Sequence, residues 1–361
     1  MRARFLLATS GVAAVVLAAT TTIAAPTPAS GYSLSVFAGP LSGSSAPDSI
    51  AVVGPDVFVG YGNGGAPDGS GGAMSTIAEY SSTGSLLATL TVTGHNDGLR
   101  LDPYTGQLWA VQNEDGNPNL VLINPKTLTM SAPYSFSATP HGGGYDDVAF
   151  NSTGTYISAS NPLNNPNTAP AIVSAKLSGG VVDVTGAVFA NATATVLNPG
   201  GGTTTLNLQD PDSMIFAPNG QLVLDSQSDH QLVFVNGVGT QGQSVSVLNL
   251  ADEVDDTVFG TGALQRLLVA DTKAGVIYSV VGHFAAGTGT SAADALGEVV
   301  GVNLSTGAFT PIVSGLEAPH GEAFFNIGVP EPGSWALMLL GCGLAGGAMR
   351  QRRLPAGARA S

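Results

Sequence analysis

Short apolar segments recur between residues 26 and 328, and each is bounded by Gly, Pro, Asn or Asp. Examples are residues 107–111, 120–124 and 222–225. Alternating or continuous apolar runs of this length are typical of β-strands, and the 3.6-residue period of an amphipathic helix is nearly absent. The pattern predicts an all-β domain over residues 26–328.

The strands belong to a repeat. Six segments combine a polar start with a short apolar strand, and most of them are followed by a turn and further strands. Their equivalent polar positions are separated by 49, 50, 65, 44 and 64 residues and are Asp48, Asp97, Asp147, Asp212, Asp256 and His320. About four strands in each repeat predict the blades of a β-propeller. We predict six blades, with five or seven as the alternatives.

The sixth repeat has a single strand, near residues 322–327. The segment 32–37 could join it from the other end of the domain and close the ring as a clasp. Long segments at 161–169, 195–205 and 282–297 are predicted to be surface loops or irregular strands.

One repeat has a more specific pattern. Residues 222–234 contain a strand ending in Asp225, a turn with His230 and a strand ending in Phe234. This segment resembles an NHL repeat, and residues 268–278 echo it. The resemblance implies a propeller of the NHL, strictosidine-synthase or gluconolactonase-like (SMP-30) group. In the gluconolactonase-like group a metal in the channel polarises a lactone carbonyl.

The two ends of the chain follow a different pattern. Arg2 and Arg4 precede an apolar run to residue 19 and small residues up to 25, which predicts a secretory signal peptide over residues 1–25, removed by signal peptidase. At the other end, an extended tetrapeptide, an apolar run (333–349) and an arginine cluster follow one another: Val329, Pro330, Glu331, Pro332, then Arg350, Arg352, Arg353.

This tail resembles the PEP-CTERM sorting signal of Gram-negative bacteria over residues 329–353, and residues 354–361 extend beyond it. The two prolines keep the tetrapeptide extended. The apolar run would form a helix of about 25 Å that spans the inner membrane, with the arginines on the cytoplasmic side. The resemblance implies export, processing by an exosortase, removal of the helix, and association with the cell surface or extracellular polysaccharide.

Charge narrows the possible partners. All 25 acidic residues lie between positions 48 and 331, where only five residues are basic, so this part carries about −20. Such a surface repels nucleic acid and anionic lipid and favours cations and neutral ligands. The single cysteine, Cys342, lies in the tail, so the propeller domain forms no disulfide of its own.

The repeated polar residues are the candidate chemistry. The first strand of each propeller blade lines the central channel, so the six residues Asp48, Asp97, Asp147, Asp212, Asp256 and His320 would form a ring there. Carboxylates bind Ca²⁺, and an added imidazole would suit another divalent cation. The alternative is structural, because an Asp at a strand start commonly accepts backbone N–H bonds.

No nucleophile elbow, zinc-protease motif or phosphate-binding loop occurs in the sequence. We therefore interpret the protein as an exported propeller that binds a ligand or partner, without obvious catalytic machinery. One alternative is a metal-dependent lactonase or related hydrolase that uses the channel carboxylates. The other is a structural matrix protein without a defined ligand.

Overall fold

The computed structural model describes residues 25–325. These residues form 28 β-strands and one 3-10 turn, Ser70–Gly72. In chain order the strands are β1 Thr27–Pro28, β2 Ser33–Ala38, β3 Pro47–Val53, β4 Asp56–Tyr61, β5 Met74–Tyr80, β6 Leu86–Thr93, β7 Asn96–Leu101, β8 Leu108–Gln112, β9 Asn119–Asn124, β10 Thr129–Met130, β11 Tyr134–Phe136, β12 Val148–Asn151, β13 Gly154–Ser158, β14 Pro170–Ser178, β15 Val181–Phe189, β16 Thr193–Val196, β17 Thr203–Thr205, β18 Pro211–Phe216, β19 Leu222–Ser226, β20 Gln231–Asn236, β21 Ser244–Asn249, β22 Thr257–Phe259, β23 Leu264–Asp271, β24 Val276–His283, β25 Gly289–Ala293, β26 Glu298–Val302, β27 Phe309–Ser314 and β28 Pro319–Phe325.

The strands form a closed ring of mainly antiparallel sheets. Six strands lie innermost and pack in the circuit β3, β7, β12, β18, β22, β28 and back to β3. Outward from them run the strand series β3-β4-β5-β6, β7-β8-β9-β11, β12-β13-β14-β15, β18-β19-β20-β21, β22-β25-β26-β27 and β28-β23-β24-β2. A four-stranded meander buries its two faces only against neighbours, and the ring supplies them. The predicted all-β propeller is confirmed.

The number of blades stays a prediction, because inner strands and hydrogen-bonded sheets are not equal in number. Strand β11 pairs antiparallel with β9 and parallel with β15, which joins the second and third units into one nine-stranded sheet. The described residues therefore contain six inner strands but five sheets.

The sixth unit contains strands from both ends of the domain. Its innermost strand β28 is the last of the domain, and its outermost strand β2 comes from the N-terminal end. The hairpin β23–β24, which directly follows the fifth inner strand in sequence, fills the space between them. The predicted clasp therefore exists, with β2 bonded to β24 rather than to β28.

Two segments predicted as loops or irregular strands contain regular strands. The segment 282–297 contains β25, which is buried along its whole length and pairs with the inner strand β22. The segment 195–205 overlaps the short hairpin β16–β17, whose first strand runs parallel to β21. Gly, Ala, Ser and Thr dominate β25, so its apolar pattern is weak although its backbone is completely paired.

Apolar side chains fill the spaces between neighbouring sheets. Between the first and second units, Phe58, Leu99 and Leu108 pack in one buried cluster. Burial of each such side chain contributes about 1.5–3 kcal/mol. This packing fixes β7, and it thereby positions Asp97 and Arg100 on either side of Leu99 in the channel.

In residues 25–325 no helix has the length and apolar character needed to cross a membrane. The predicted signal peptide, apart from residue 25, and the predicted tail over 329–361 lie outside the described residues.

Candidate cation site at the mouth of the channel

The inner strands all run in the same direction along the channel. Their polar starts gather at one end, which we call the acidic mouth. Its lining residues are Ala46, Asp48, His95, Asp97, Glu114, Asp146, Asp212, Gln227, Asp255, Thr272, Asp294 and His320. Their apolar ends meet at the opposite opening, which we call the apolar end. Its lining includes Val52, Leu101, Phe216, Phe259 and Phe324. Because each inner strand starts with polar residues and ends with apolar ones, the channel has one polar and one apolar opening.

The acidic mouth is a cavity of about 310 Å³ lined by seven carboxylate side chains and two histidines. Close approach of the inner strands makes it narrow. Gly98 and Gly321 each follow a mouth residue, and a Cβ on either would collide with the backbone oxygen of Asp146 or Asp48, respectively. Glycine is therefore required at these two contacts.

Two histidine–carboxylate pairs lie in this cavity. His320 Nδ1 is 2.9 Å from Asp255 Oδ2 and 3.8 Å from Asp48 Oδ2. His95 Nδ1 is 3.0 Å from Asp97 Oδ1. Each pair belongs to a triplet whose potential ligand atoms lie within 4.8 Å of one another: Asp48 with Asp255 and His320, and Asp97 with His95 and Glu114. The mouth therefore holds two clusters with the spacing of metal ligands.

The second cluster is held by the turn after β8. Asn113 adopts a left-handed conformation with φ of 67°, and its Oδ1 accepts the backbone N–H of His95 at 2.8 Å. The carbonyl of Glu114 accepts Ser160 Oγ and the backbone N–H of Gly144, both at 2.7 Å. These bonds fix the backbone of His95 and Glu114 beside Asp97.

Crowding of carboxylates perturbs their protonation. Burial raises the pKa of Asp48 to about 8, against a lowering effect of His320 and with further increases from Asp255 and Asp97. Burial also raises the pKa values of Asp146 and Asp212 well above the usual range. The charge of Asp97 raises the pKa of Asp146 further, and the charge of Asp146 raises that of Asp212. The pKa of Glu114 is also raised, first by burial and then by the charge of Asp97. Such a site favours any species that brings positive charge.

The histidines gain protons for the same reason. Burial lowers the pKa of His320, but the carboxylates of Asp255 and Asp48 outweigh it and bring the pKa to about 10. The pKa of His95 is also raised, because the bond to Asp97 and its charge outweigh burial. His320 is therefore a cation at neutral pH and partly neutralises its cluster.

A separate layer lies deeper in the channel, around Arg100. Its Nε is 3.0 Å from both carboxylate oxygens of Asp147, and its Nη2 is 2.7 Å from Asp147 and 3.2 Å from Asp256. Asp147 also accepts the backbone N–H of Met214, and Asp256 accepts that of Glu322. These bonds cross from the third unit to the fourth and from the fifth to the sixth, so this layer ties neighbouring units together.

The structure divides the six predicted site residues between the two layers. Asp48, Asp97, Asp212 and His320 line the acidic mouth. Asp147 and Asp256 instead lie beside Arg100, and their positions in the mouth are occupied by Asp146 and Asp255. Neighbouring residues of an extended strand point in opposite directions, so the choice between two adjacent aspartates decides the layer.

Three further residues of the mouth lie outside the predicted ring of six. His95 and Glu114 complete one triplet, and Asp294 lies on the turn after β25. The available signal was position in the repeat, because Glu114 and Asp294 each follow the second strand of a unit, at the end of the sheet where the inner strands start.

The chain ends in a known sorting signal. A family model described as "PEP-CTERM protein-sorting motif" matches residues 328–353. This segment is a PEP-CTERM sorting motif. The motif implies export and membrane-anchored processing by an exosortase. It covers the end of the chain and gives no information about the ligand of the propeller.

Comparison with curated proteins finds no match. Among solved structures, the chain is similar to a protein of unknown function from Bacteroides caccae, with 9% identity, 79% of this chain and 88% of that chain covered, and a TM-score of 0.49. It is also similar to a periplasmic gluconolactonase from Pseudomonas aeruginosa, with 13% identity, coverage of 78% and 88%, and a TM-score of 0.44. A third is virginiamycin B lyase from Staphylococcus aureus, with 10% identity, the same coverage, and a TM-score of 0.40. These similarities are too low to assign a ligand or a reaction to this chain.

Proposed function

We propose that this protein is an exported propeller that binds a divalent cation at its acidic mouth and, through that cation, an oxygen-rich ligand or partner. The observation that carries the proposal is the convergence of carboxylates from successive units on one cavity of about 310 Å³. His320 supplies the strongest compensating charge there, and burial keeps the pKa values of Asp48, Asp146 and Asp212 high. A cation would replace the protons that these groups otherwise retain.

The alternative role as backbone caps fits these side chains poorly. Among the hydrogen bonds of residues 25–325, none joins a backbone N–H to a carboxylate of Asp48, Asp97, Asp146 or Asp212, whereas Asp147 and Asp256 accept such bonds. Aspartates committed to capping would show those bonds. The mouth aspartates are therefore free to bind a ligand.

Ca²⁺ is the cation that the donor set favours. Oxygen donors predominate, with seven carboxylates against two imidazoles, and Ca²⁺ takes six to eight oxygen ligands. Protein carboxylates would supply some of these, and hydroxyl or carbonyl oxygens of a ligand would complete the shell. The histidine in each triplet makes Mn²⁺ or Zn²⁺ the cations to compare.

The sorting signal suggests where in the cell envelope this binding module acts. We propose that residues 1–25 are the signal peptide, 26–328 the propeller and 329–353 the sorting signal, with 354–361 as a short extension. Removal of the apolar segment would release the domain to the cell surface or the extracellular polysaccharide, which is the proposed partner. The net charge between Asp48 and Glu331 argues against nucleic acid.

Calorimetric titration of the chelator-treated chain with CaCl₂, MnCl₂ and ZnCl₂ tests the cation. We expect binding with Ca²⁺ preferred, and we expect Asp97→Asn to weaken it at least tenfold because Asp97 belongs to one of the two ligand triplets. Asp183→Asn is the matched control, because Asp183 is exposed on β15 outside the mouth. Absence of binding by all three cations, or equal effects of both variants, would reject the proposal. Glycan-array binding by the loaded protein would then separate a binding module from a structural matrix protein.

One observation favours a second candidate, a cation-dependent lactonase or related hydrolase. Two histidine–aspartate pairs face the same cavity, and His320 is protonated at neutral pH because its pKa is about 10. A bound cation would supply polarisation of a carbonyl. His320 could then donate a proton to the leaving oxygen, and His95 could accept one from water. Replacement of His95 by Gln should lower turnover of a reactive lactone by about 10²-fold or more.

A further inference from the structure

The last inner strand leads from the acidic mouth toward the sorting motif. Strand β28 carries His320 in the mouth and Phe324 at the apolar end, a distance of about 13 Å at ~3.3 Å per residue. It ends at Phe325, and the PEP-CTERM motif begins at residue 328. The chain therefore leaves the ring at the apolar end, close to the channel.

We propose that, while the sorting tail holds the protein in the membrane, the apolar end faces the bilayer and the acidic mouth faces away from it. The proposal rests on the membrane-anchored processing that the PEP-CTERM motif implies, and it adds the orientation of the ring. It identifies the partner of the apolar end as a lipid surface.

The length of the connection excludes the opposite orientation, with the mouth against the bilayer. Eight residue steps separate Phe325 from Gly333, where the apolar segment begins, and they reach at most about 29 Å when fully extended. A domain of about 300 residues has a radius of gyration of roughly 19 Å, which corresponds to a half-width of roughly 25 Å. To place the mouth against the bilayer, the connection would have to cross that half-width and then climb about 20 Å along a six-residue strand. The sum exceeds its reach.

Charge favours the same orientation. The lining of the mouth includes seven carboxylates, and the lining of the apolar end includes one, Glu322. Anionic headgroups repel the first surface more strongly than the second. At the apolar end, Tyr104 in the β7–β8 turn is 62% exposed, and tyrosine is favoured at the membrane–water interface.

This orientation has a functional consequence. Ligands in the aqueous phase reach the acidic mouth without passing between the ring and the bilayer. The mouth is therefore accessible to cations both before and after the tail is removed.

Site-specific quenching in vesicles measures the orientation. The full chain, with Cys342→Ser to remove the natural thiol, receives a single cysteine at one of three exposed positions. Tyr104→Cys marks the apolar end, Lys273→Cys marks the turn beside the mouth residue Thr272, and Thr89→Cys marks the outer strand β6. Each labelled protein is reconstituted in phosphatidylcholine–phosphatidylglycerol vesicles with a nitroxide quencher on the lipid headgroups.

We expect the strongest quenching at position 104, intermediate quenching at 89 and the weakest at 273. Equal quenching at positions 104 and 273, or the reverse order, would overturn the proposal, and strongest quenching at 89 would indicate an edge-on ring instead. Failure of the labelled chain to float with the vesicles would show that the tail does not anchor the protein in a membrane. A chain that floats and binds Ca²⁺ but shows the wrong order would contradict only the orientation.

Discussion

Two layers of the same channel contain the same residue type one position apart in sequence. Asp147 and Asp256 lie beside Arg100, while their neighbours Asp146 and Asp255 line the acidic mouth. In the inner layer one guanidinium and several backbone N–H groups neutralise the carboxylates. In the mouth, carboxylates mainly face other carboxylates. Asp147 and Asp256 therefore have an internal cation and backbone donors, whereas the mouth sets seven carboxylates against two histidines.

One repeat can thus supply structural positions and candidate ligand positions side by side. Both layers arise from polar residues at the starts of inner strands, and strand alternation sends adjacent residues to different levels. A single arginine on the second inner strand suffices to make one level structural. The same level without Arg100 would be a second acidic cavity.

The largest expected effect is a pH dependence of stability to which the buried carboxylates of the mouth contribute. Each pKa unit is worth about 1.4 kcal/mol, and the pKa of Asp48 rises from its ordinary value of 3.8 to about 8. A group with a raised folded-state pKa stabilises the fold below its unfolded pKa and loses that contribution as pH rises through the folded value. We therefore expect the chelated protein to lose stability from pH 4 to 8, and further toward pH 10 through His320.

Urea unfolding at pH 5, 7 and 9 measures this slope. Saturating Ca²⁺ should flatten it, because the cation replaces the protons at the mouth. The variant Asp48→Asn should reduce the slope without Ca²⁺, and Asp183→Asn should leave it unchanged. Stability that rises with pH in the chelated protein would contradict the prediction.

Removal of Arg100 should produce the largest effect of a single substitution. Arg100→Met leaves Asp147 and Asp256 buried without their cation, which costs about 3–5 kcal/mol of unfolding free energy. Chemical denaturation measures the loss. The combined variant with Asp147→Asn should recover part of it, since one uncompensated charge is removed. An Arg100→Met protein as stable as the wild type would show that the inner layer is not structural.

The fold was predictable as far as local pattern determines it. Short apolar runs and the recurrence of Asp48, Asp97 and Asp212 at strand starts predicted the inner strands of the ring. The sequence did not show which unit a strand belongs to where consecutive strands of the chain lie in different units. The hairpin β23–β24 follows β22 in sequence but pairs with β28, and no local pattern specifies such a long-range partner.

The residue types of the site and their location at strand starts were predictable, but the direction in which each side chain points was not. At 146–147 and 255–256 the sequence offers two aspartates, and only the backbone of the ring shows which one reaches the mouth. His95 lies two residues before Asp97, and its role depends on Asn113, which is distant in sequence and holds its backbone. Long-range hydrogen bonds of this kind leave no periodic signal.

A substitution in the mouth should change sign with the cation. Without cation at pH 8, Asp146→Asn removes a crowded carboxylate whose pKa is raised by burial and by Asp97, so it should stabilise the protein by about 1 kcal/mol. With saturating Ca²⁺ it should destabilise relative to the wild type, because a ligand is lost. Thermal unfolding in chelator and in Ca²⁺ measures both signs. The same sign under both conditions would assign Asp146 a purely structural role.

Monovalent salt should have the smallest effect, and it should act on the mouth but not on the inner layer. At 1 M ionic strength the screening length falls to about 3 Å, which weakens repulsion between groups that contact water and acts much less on buried pairs. His320 and Asp48 are partly exposed, whereas the Asp147 carboxylate is nearly inaccessible. Chelated protein at pH 8 should therefore gain a few tenths of a kcal/mol in 1 M KCl, and the penalty of Arg100→Met should stay the same. A large decrease of that penalty in salt would mean that water reaches the inner layer, and the two levels of the channel would then form one continuous acidic cavity.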